Sequence, residues 1–207
     1  GRAVILFENC DDIRFENMTL RNTYGKPGQA EVIYNNDNNG KYNISFVNCT
    51  LRSLQDTFNT KGYCWMYNCL IEGDCDFIWG SPKTCLFEKC EIRAAGDGYI
   101  VQARCMSADD KGFVFLDCDL TKNPDVTDGS MYLARSSGAS EYYDNVAYVN
   151  CRMSSAIPHQ GWYDSPAPNP SKASSASGWK EYGSKDAGGT TLSVSGRLQS
   201  SYQLTDS

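Results

Sequence analysis

Histidine is nearly missing from this chain: its 207 residues contain one, His159, in "IPHQGW". G-x-S-x-G is absent as well, so a Ser-His triad would have to be built on that single imidazole. The ten cysteines include no C-x-x-C, and zinc held by Cys and His is not expected. No metal and no cofactor is expected from the remaining residues. No apolar run approaches the roughly 18 residues that would suggest a membrane span. A basic excess is lacking too. Nineteen Lys and Arg against 25 Asp and Glu leave a net charge of −6, which disfavours non-specific nucleic-acid binding. The opening "GRAVILFENC" lacks the layout of a signal peptide and reads as a strand already under way.

Cysteine, by contrast, is abundant, and most of it follows a pattern. "FVNCTL" (46–51), "MYNCLI" (66–71), "FEKCEI" (87–92), "FLDCDL" (115–120) and "YVNCRM" (148–153) share one form. An apolar or aromatic residue leads, Asn, Asp or Lys precedes the cysteine, and Leu, Ile or Met follows after a spacer. "FENMTL" (15–20) fits with Met18 in the cysteine position. The alternation is strand-like, and short strands recurring every 20 to 33 residues predict a parallel β-helix of stacked coils. Cys49, Cys69, Cys90, Cys118 and Cys151 should then form an inward ladder of reduced thiols, since free cysteine behaves as a small buried apolar residue. Cys10, Cys64, Cys75, Cys85 and Cys105 fall outside it. "SPAPNPSKASSASG" (165–178) reads as a long loop.

Two carboxylates share the repeat. Asp56, in "LRSLQDTFNT", lies seven residues after Cys49, and Asp76, in "GDCDFIWG", lies seven after Cys69. If the cysteines stack, the acids stack, about 4.7–4.9 Å apart. Asp is common at coil corners, which explains either residue alone but not their shared offset. Close like charges raise one pKa, so one aspartate can stay a protonated acid while its neighbour is an anionic base or nucleophile. Arg135, in "MYLARSSG", is a candidate counter-ion, and Gln29, Gln55 and Gln102 are candidate amide donors for an oxyanion.

At these residues the sequence resembles the pectin methylesterases, carbohydrate esterases built on a right-handed parallel β-helix. "LQDTF" resembles the family's Q-D-T-L-Y, "GDCDFIWG" its G-x-x-D-F-I-F-G, "YIVQAR" its Q-G-R and "YLARS" its L-G-R-P-W. "GQAEVI" (28–33) falls where the family has Q-A-V, and "GWKEYGS" (178–184) resembles its closing E-Y segment. The resemblance implies that Asp76 is the nucleophile that attacks a galacturonate methyl ester, and Asp56 the general acid and then base. It implies that Gln55 and Gln29 are oxyanion donors, that Arg135 orients Asp76, and that Gln102 lines the pocket. The implied partner is methyl-esterified homogalacturonan, met outside the cell by a secreted or periplasmic enzyme that works as a monomer.

One departure is plain: Ser136 and Ser137 follow Arg135 where the family carries an aromatic. Phe58, Trp79, Trp162 and Tyr163 are candidates for the missing sugar platform, while Trp65 reads as ordinary packing. The coils that precede the first motif in the family are also lacking. The expectation is one β-helical catalytic domain over 1–207, incomplete at its N-terminus, with a Pro/Ser/Gly-rich loop at 164–190. Two other classes remain open. One is another β-helix enzyme: a glycoside hydrolase, for which "CDD" (10–12) and "ADD" (108–110) supply acid pairs, a lyase, or an esterase acting on a different ester or a thioester. The other is a non-catalytic carbohydrate-binding β-helix, which would have no need of a stacked acid pair.

Overall fold

A computed structural model describes residues 2–25 and 28–205. Among them no helix forms, and the strands belong to one curled sheet whose ladders are all parallel. This is the parallel β-helix the repeat predicts. Three stacks of aligned residues face its interior. One runs Ile5, Ile33, Phe58, Ile78, Val101. A second runs Phe15, Phe46, Met66, Phe87, Phe115, Tyr148. The third runs Leu20, Leu51, Ile71, Ile92, Leu120, Met153. Rings follow one another through the second stack, with Phe87–Phe115 at 4.6 Å and Phe115–Tyr148 at 4.5 Å, both stacked.

The corner between the second and third stacks explains the cysteine motif. Asn17, Asn48, Asn68, Lys89, Asp117 and Asn150 all adopt positive φ, between 51° and 56°. Asn and Asp tolerate this left-handed conformation better than other side-chain-bearing residues. The turn aims the next residue inward, and that residue must be small and apolar. Cys49, Cys69, Cys90, Cys118 and Cys151 fill the place, all buried. The coils lock together there, with Cys49 N–H donating to Cys69 Sγ at 3.3 Å and Asn68 Nδ2 donating to Asn48 Oδ1 at 2.8 Å. None of the ten cysteines is in a disulfide. Cys64 and Cys85, unassigned from sequence, are buried neighbours one coil apart in the same register.

Desolvation and thiol–thiol hydrogen bonding hold Cys105 and Cys90 protonated. Cys105 is pushed up to about 12 by desolvation, and Cys90 to about 12, chiefly through its hydrogen bond with Cys118. A thiol reagent at pH 7–8 should therefore label Cys10 and Cys75, both partly exposed, and reach the other eight only after denaturation. Rapid native labelling of the five ladder cysteines would contradict the packing.

The segment expected as a loop over 164–190 is irregular up to Gly178 and again after Asp186. Trp179–Tyr182 and Lys185–Asp186 are strands that continue the helix. Trp65, which reads as ordinary packing, stands 36% exposed on the outer face, with its indole N–H on Glu88 Oε2 at 3.1 Å. Strand alternation explains this, because its neighbours Cys64 and Met66 take the inward positions.

Candidate active site

The first stack ends at a second left-handed corner, and the two acids occupy it. Asp56 has φ 64° and Asp76 φ 47°. Their register is fixed by Phe58 opposite Ile78 and by Asp56 N–H donating to Cys75 O at 3.1 Å. The twenty-residue interval is thus one coil, and the carboxyls are neighbours on adjacent coils. Gly80 ends the "GDCDFIWG" segment with φ 131°. A Cβ there would meet the Thr60 carbonyl at 2.1 Å, so only glycine allows the coils to close next to the site.

Asp76 is gripped by three donors. Arg135 Nε donates to Oδ1 at 2.8 Å, and the same guanidinium's terminal nitrogen donates to Oδ2, a planar fork that fixes the carboxylate's plane. Gln102 Nε2 donates to Oδ2 at 3.0 Å. Gln102, expected to line the pocket, is therefore engaged with Asp76. Its amide is turned that way because Arg104 Nε donates to its Oε1 at 2.8 Å. Arg135 is held in turn by the Tyr99 ring, 5.0 Å from its guanidinium carbon.

Asp56 has no such grip. It is 4% exposed, and its pKa is raised to about 7, first by desolvation, then by the charges of Glu31 and Asp76, against the opposing pull of Arg2 and Arg104. The pair thus divides into a carboxylate held by a guanidinium fork and an amide, and a carboxyl that keeps its proton to near neutrality. That division lets one act as a nucleophile and the other as an acid.

Gln55 and Gln29 flank the pair. Gln55 sits beside Asp56, partly buried, and its carbonyl accepts from Ala30 N–H at 3.1 Å. Gln29 is exposed, and Arg2 donates to its Oε1, which turns its amide N–H the other way. Trp79 lies on the same face, with Arg104 5.1 Å and Arg2 5.9 Å from its ring centroid.

Two expected platform residues are displaced. Phe58 is 1% exposed and packs edge-on against Phe46 and Phe87. Trp162 is fully buried, stacked on Trp179 at 5.2 Å. Both belong to the interior and offer no ring to a sugar. An aromatic group does stand beside Arg135, made by Tyr163 with Tyr99 and Tyr132, each pair of centroids within 5.8 Å. Sequence reading named only Tyr163. It also passed over Arg104 and Glu31, the latter fully buried next to Asp56.

The other acid pairs serve turns. Asp11 Oδ1 accepts the N–H groups of Asn43 and Asp12, and Asp110 Oδ2 accepts that of Ser107. His159 is exposed beside Gly196 and Arg197, in another part of the chain's surface. Among the described residues no helix is long and apolar enough to cross a membrane.

Residues 4–199 match the Pectinesterase family. Pectinesterase 31 of Arabidopsis thaliana is 33% identical over 167 residues, which cover 79% of this chain and 49% of that protein. The chain spans about half the length of curated relatives of this kind. Among solved structures, pectin methylesterase from carrot aligns with a TM-score of 0.79 at 18% identity, over 99% of this chain and 64% of that one. A pectin methylesterase in complex with a hexasaccharide aligns with a TM-score of 0.74 at 20% identity, over 99% of this chain and 69% of that one. At these identities the structures establish the shared fold.

Proposed function

Because the chain belongs to the pectinesterase family, we propose that it hydrolyses methyl esters of galacturonate units in pectin, releasing methanol, with Asp76 as nucleophile and Asp56 as acid and base. The observation that carries this reading is the asymmetry of the stacked pair. Asp76 is held by Arg135 and Gln102, while Asp56 is desolvated and raised to about 7.

In the first step an Asp76 oxygen bonds to the ester carbonyl carbon, and the carbonyl electrons move onto its oxygen. Amide N–H groups of Gln55 and Gln29 receive that oxyanion. The intermediate collapses, the carbon–methoxy bond breaks, and Asp56 gives its proton to the departing methoxy oxygen, so that methanol leaves. The acyl group now sits on Asp76 as an anhydride. Asp56, now anionic, takes a proton from water as the water attacks. The anhydride bond breaks, the galacturonate acid departs, and both aspartates regain their starting states. The Tyr99, Tyr132 and Tyr163 rings, with Trp79, supply the sugar-facing apolar surface. On this reading the protein works outside the cell, where pectin lies.

Methanol release from methyl-esterified homogalacturonan tests the proposal, with an unesterified polymer as blank. Absence of methanol from folded protein would sink it. The role of Arg135 has its own readout. Arg135→Lys keeps the charge but loses the fork, so kcat should fall by about 10²-fold with KM little changed, as for a misoriented nucleophile. A rise in KM at constant kcat would instead make Arg135 a substrate-binding group.

A further inference from the structure

Two glutamates in this protein are fully buried, and they are treated very differently. Glu181 is saturated: Arg197 Nε donates to Oε2 at 2.8 Å, Arg197 Nη2 to Oε1 at 3.0 Å and Ser184 Oγ to Oε1 at 2.8 Å. That is how a structural buried carboxylate is satisfied. Glu31 is not. Arg2 Nη2 forms an ion pair with its Oε1 at 2.6 Å, yet neither oxygen receives a well-aligned hydrogen bond among the described residues. Burying a carboxylate in this state is costly. Glu31 therefore needs a reason.

Its position supplies one. Ala30 N–H donates to Gln55 O at 3.1 Å and Val32 N–H to Thr57 O at 2.7 Å, so Glu31 lies opposite Asp56, one coil earlier. The stack at the site is a triad of acids: Glu31, Asp56, Asp76. Resting on the esterase reading above, we propose that Glu31 is a positioning residue for the proton of Asp56, its buried charge facing Asp56 from the preceding coil and keeping that carboxyl protonated for the leaving methanol.

The groups facing Asp56 are Glu31 and Arg2 from the preceding coils, Asp76 from the next, and Arg104 beyond it. Asp76 is already engaged by Arg135 and Gln102. Glu31 has only a half-exposed arginine, with a side chain 42% exposed, as counter-ion in this group. Its field on Asp56 is therefore the less neutralised of the two. Burial pushes the Glu31 carboxyl up, and Arg2 opposes that push with its charge while it donates to Gln29 on the other side.

The test uses Glu31→Gln, which keeps the shape and removes the charge, and Glu31→Asp, which keeps the charge. Methanol release is followed against pH in both. Losing a like charge lowers the pKa of Asp56, so Asp56 gives up its proton at lower pH. The high-pH limb of kcat/KM should move toward acid by about one pH unit in Glu31→Gln, and Glu31→Asp should restore most of that shift. A limb that stays in place in a folded Glu31→Gln protein overturns the proposal. A second measurement does not depend on activity: the carboxyl ¹³C resonance of Asp56, titrated in the Asp76→Asn background with and without Glu31→Gln. A midpoint that drops supports the inference even if the esterase reading fails. An unchanged midpoint refutes it even if methanol is released. Should Glu31→Gln not fold, Glu31→Asp decides by the same titration: a midpoint within a few tenths of the parent supports the inference, and a full loss of the elevation refutes it.

Discussion

Replacing Asp76 by asparagine should remove methanol release almost completely, by more than about 10⁴-fold, as loss of a covalent nucleophile does in other hydrolases. The fold should persist. Asp76 sits at φ 47°, and asparagine accepts that conformation about as readily as aspartate. Alanine would confound the result with backbone strain, so asparagine is the informative change. The amide can still accept one hydrogen bond from Arg135, whose side chain is 30% exposed and partly solvated. Unfolding monitored by circular dichroism and methanol release by a coupled assay check both halves. Activity within tenfold of the parent would remove Asp76 from the chemistry.

The second large effect concerns Asp56. Asp56→Asn should slow the reaction by about 10²–10⁴-fold, the usual worth of a general acid–base group. It should also change stability in a direction set by pH. The folded protein holds the Asp56 proton to about pH 7, while an unfolded chain releases it near 4. The folded state therefore binds more protons between those values, and stability falls as pH rises through them. Asparagine removes that loss. The variant should be the more stable protein at pH 8, by up to about 4 kcal/mol, and equal to the parent near pH 4. Denaturant melts at the two pH values measure the difference. A variant that is both slower and less stable at pH 8 would mean that Asp56 is held ionised, and the acid role would fail.

The coil repeat was legible in the sequence because one corner recurs with one chemistry. A left-handed Asn, Asp or Lys followed by an inward cysteine needs no distant information to be recognised, and it fixes the register of everything seven residues on. Asp56 and Asp76 followed from it. The same register could have sorted the aromatics. Phe58 aligns with Ile78 and therefore points inward, while Trp79 aligns with Asn59 and stands on the outer side of the alternation. That alternation excludes Phe58 as a sugar platform. Trp162 lies outside the regular strands, where no register reaches it.

Glu31 was hidden by the irregular length of its coil. The connection from Asp37 to Tyr42 bulges out, with Asp37 accepting the N–H groups of Gly40, Lys41 and Tyr42. That coil therefore runs 25 residues, as Ile33 opposite Phe58 shows, and the twenty-residue offset misses Glu31. Tyr99, Tyr132 and Tyr163 gather from coils of still other lengths. Tyr99 and Tyr132 meet as strand partners and Tyr163 joins them beside Arg135 through an isolated bridge; the unequal loops that set those coil lengths are not encoded in local pattern.

Acyl transfer through a covalent bond to Asp76 is tested most directly by partitioning. Methyl and ethyl esters of the same oligogalacturonate would be hydrolysed in the presence of hydroxylamine, and the ratio of hydroxamate to free acid measured. A shared acyl-Asp76 intermediate has already lost its alcohol, so the account predicts one ratio for both esters at every hydroxylamine concentration. A ratio that depends on the alcohol would show water and hydroxylamine attacking the ester itself, and would contradict the account.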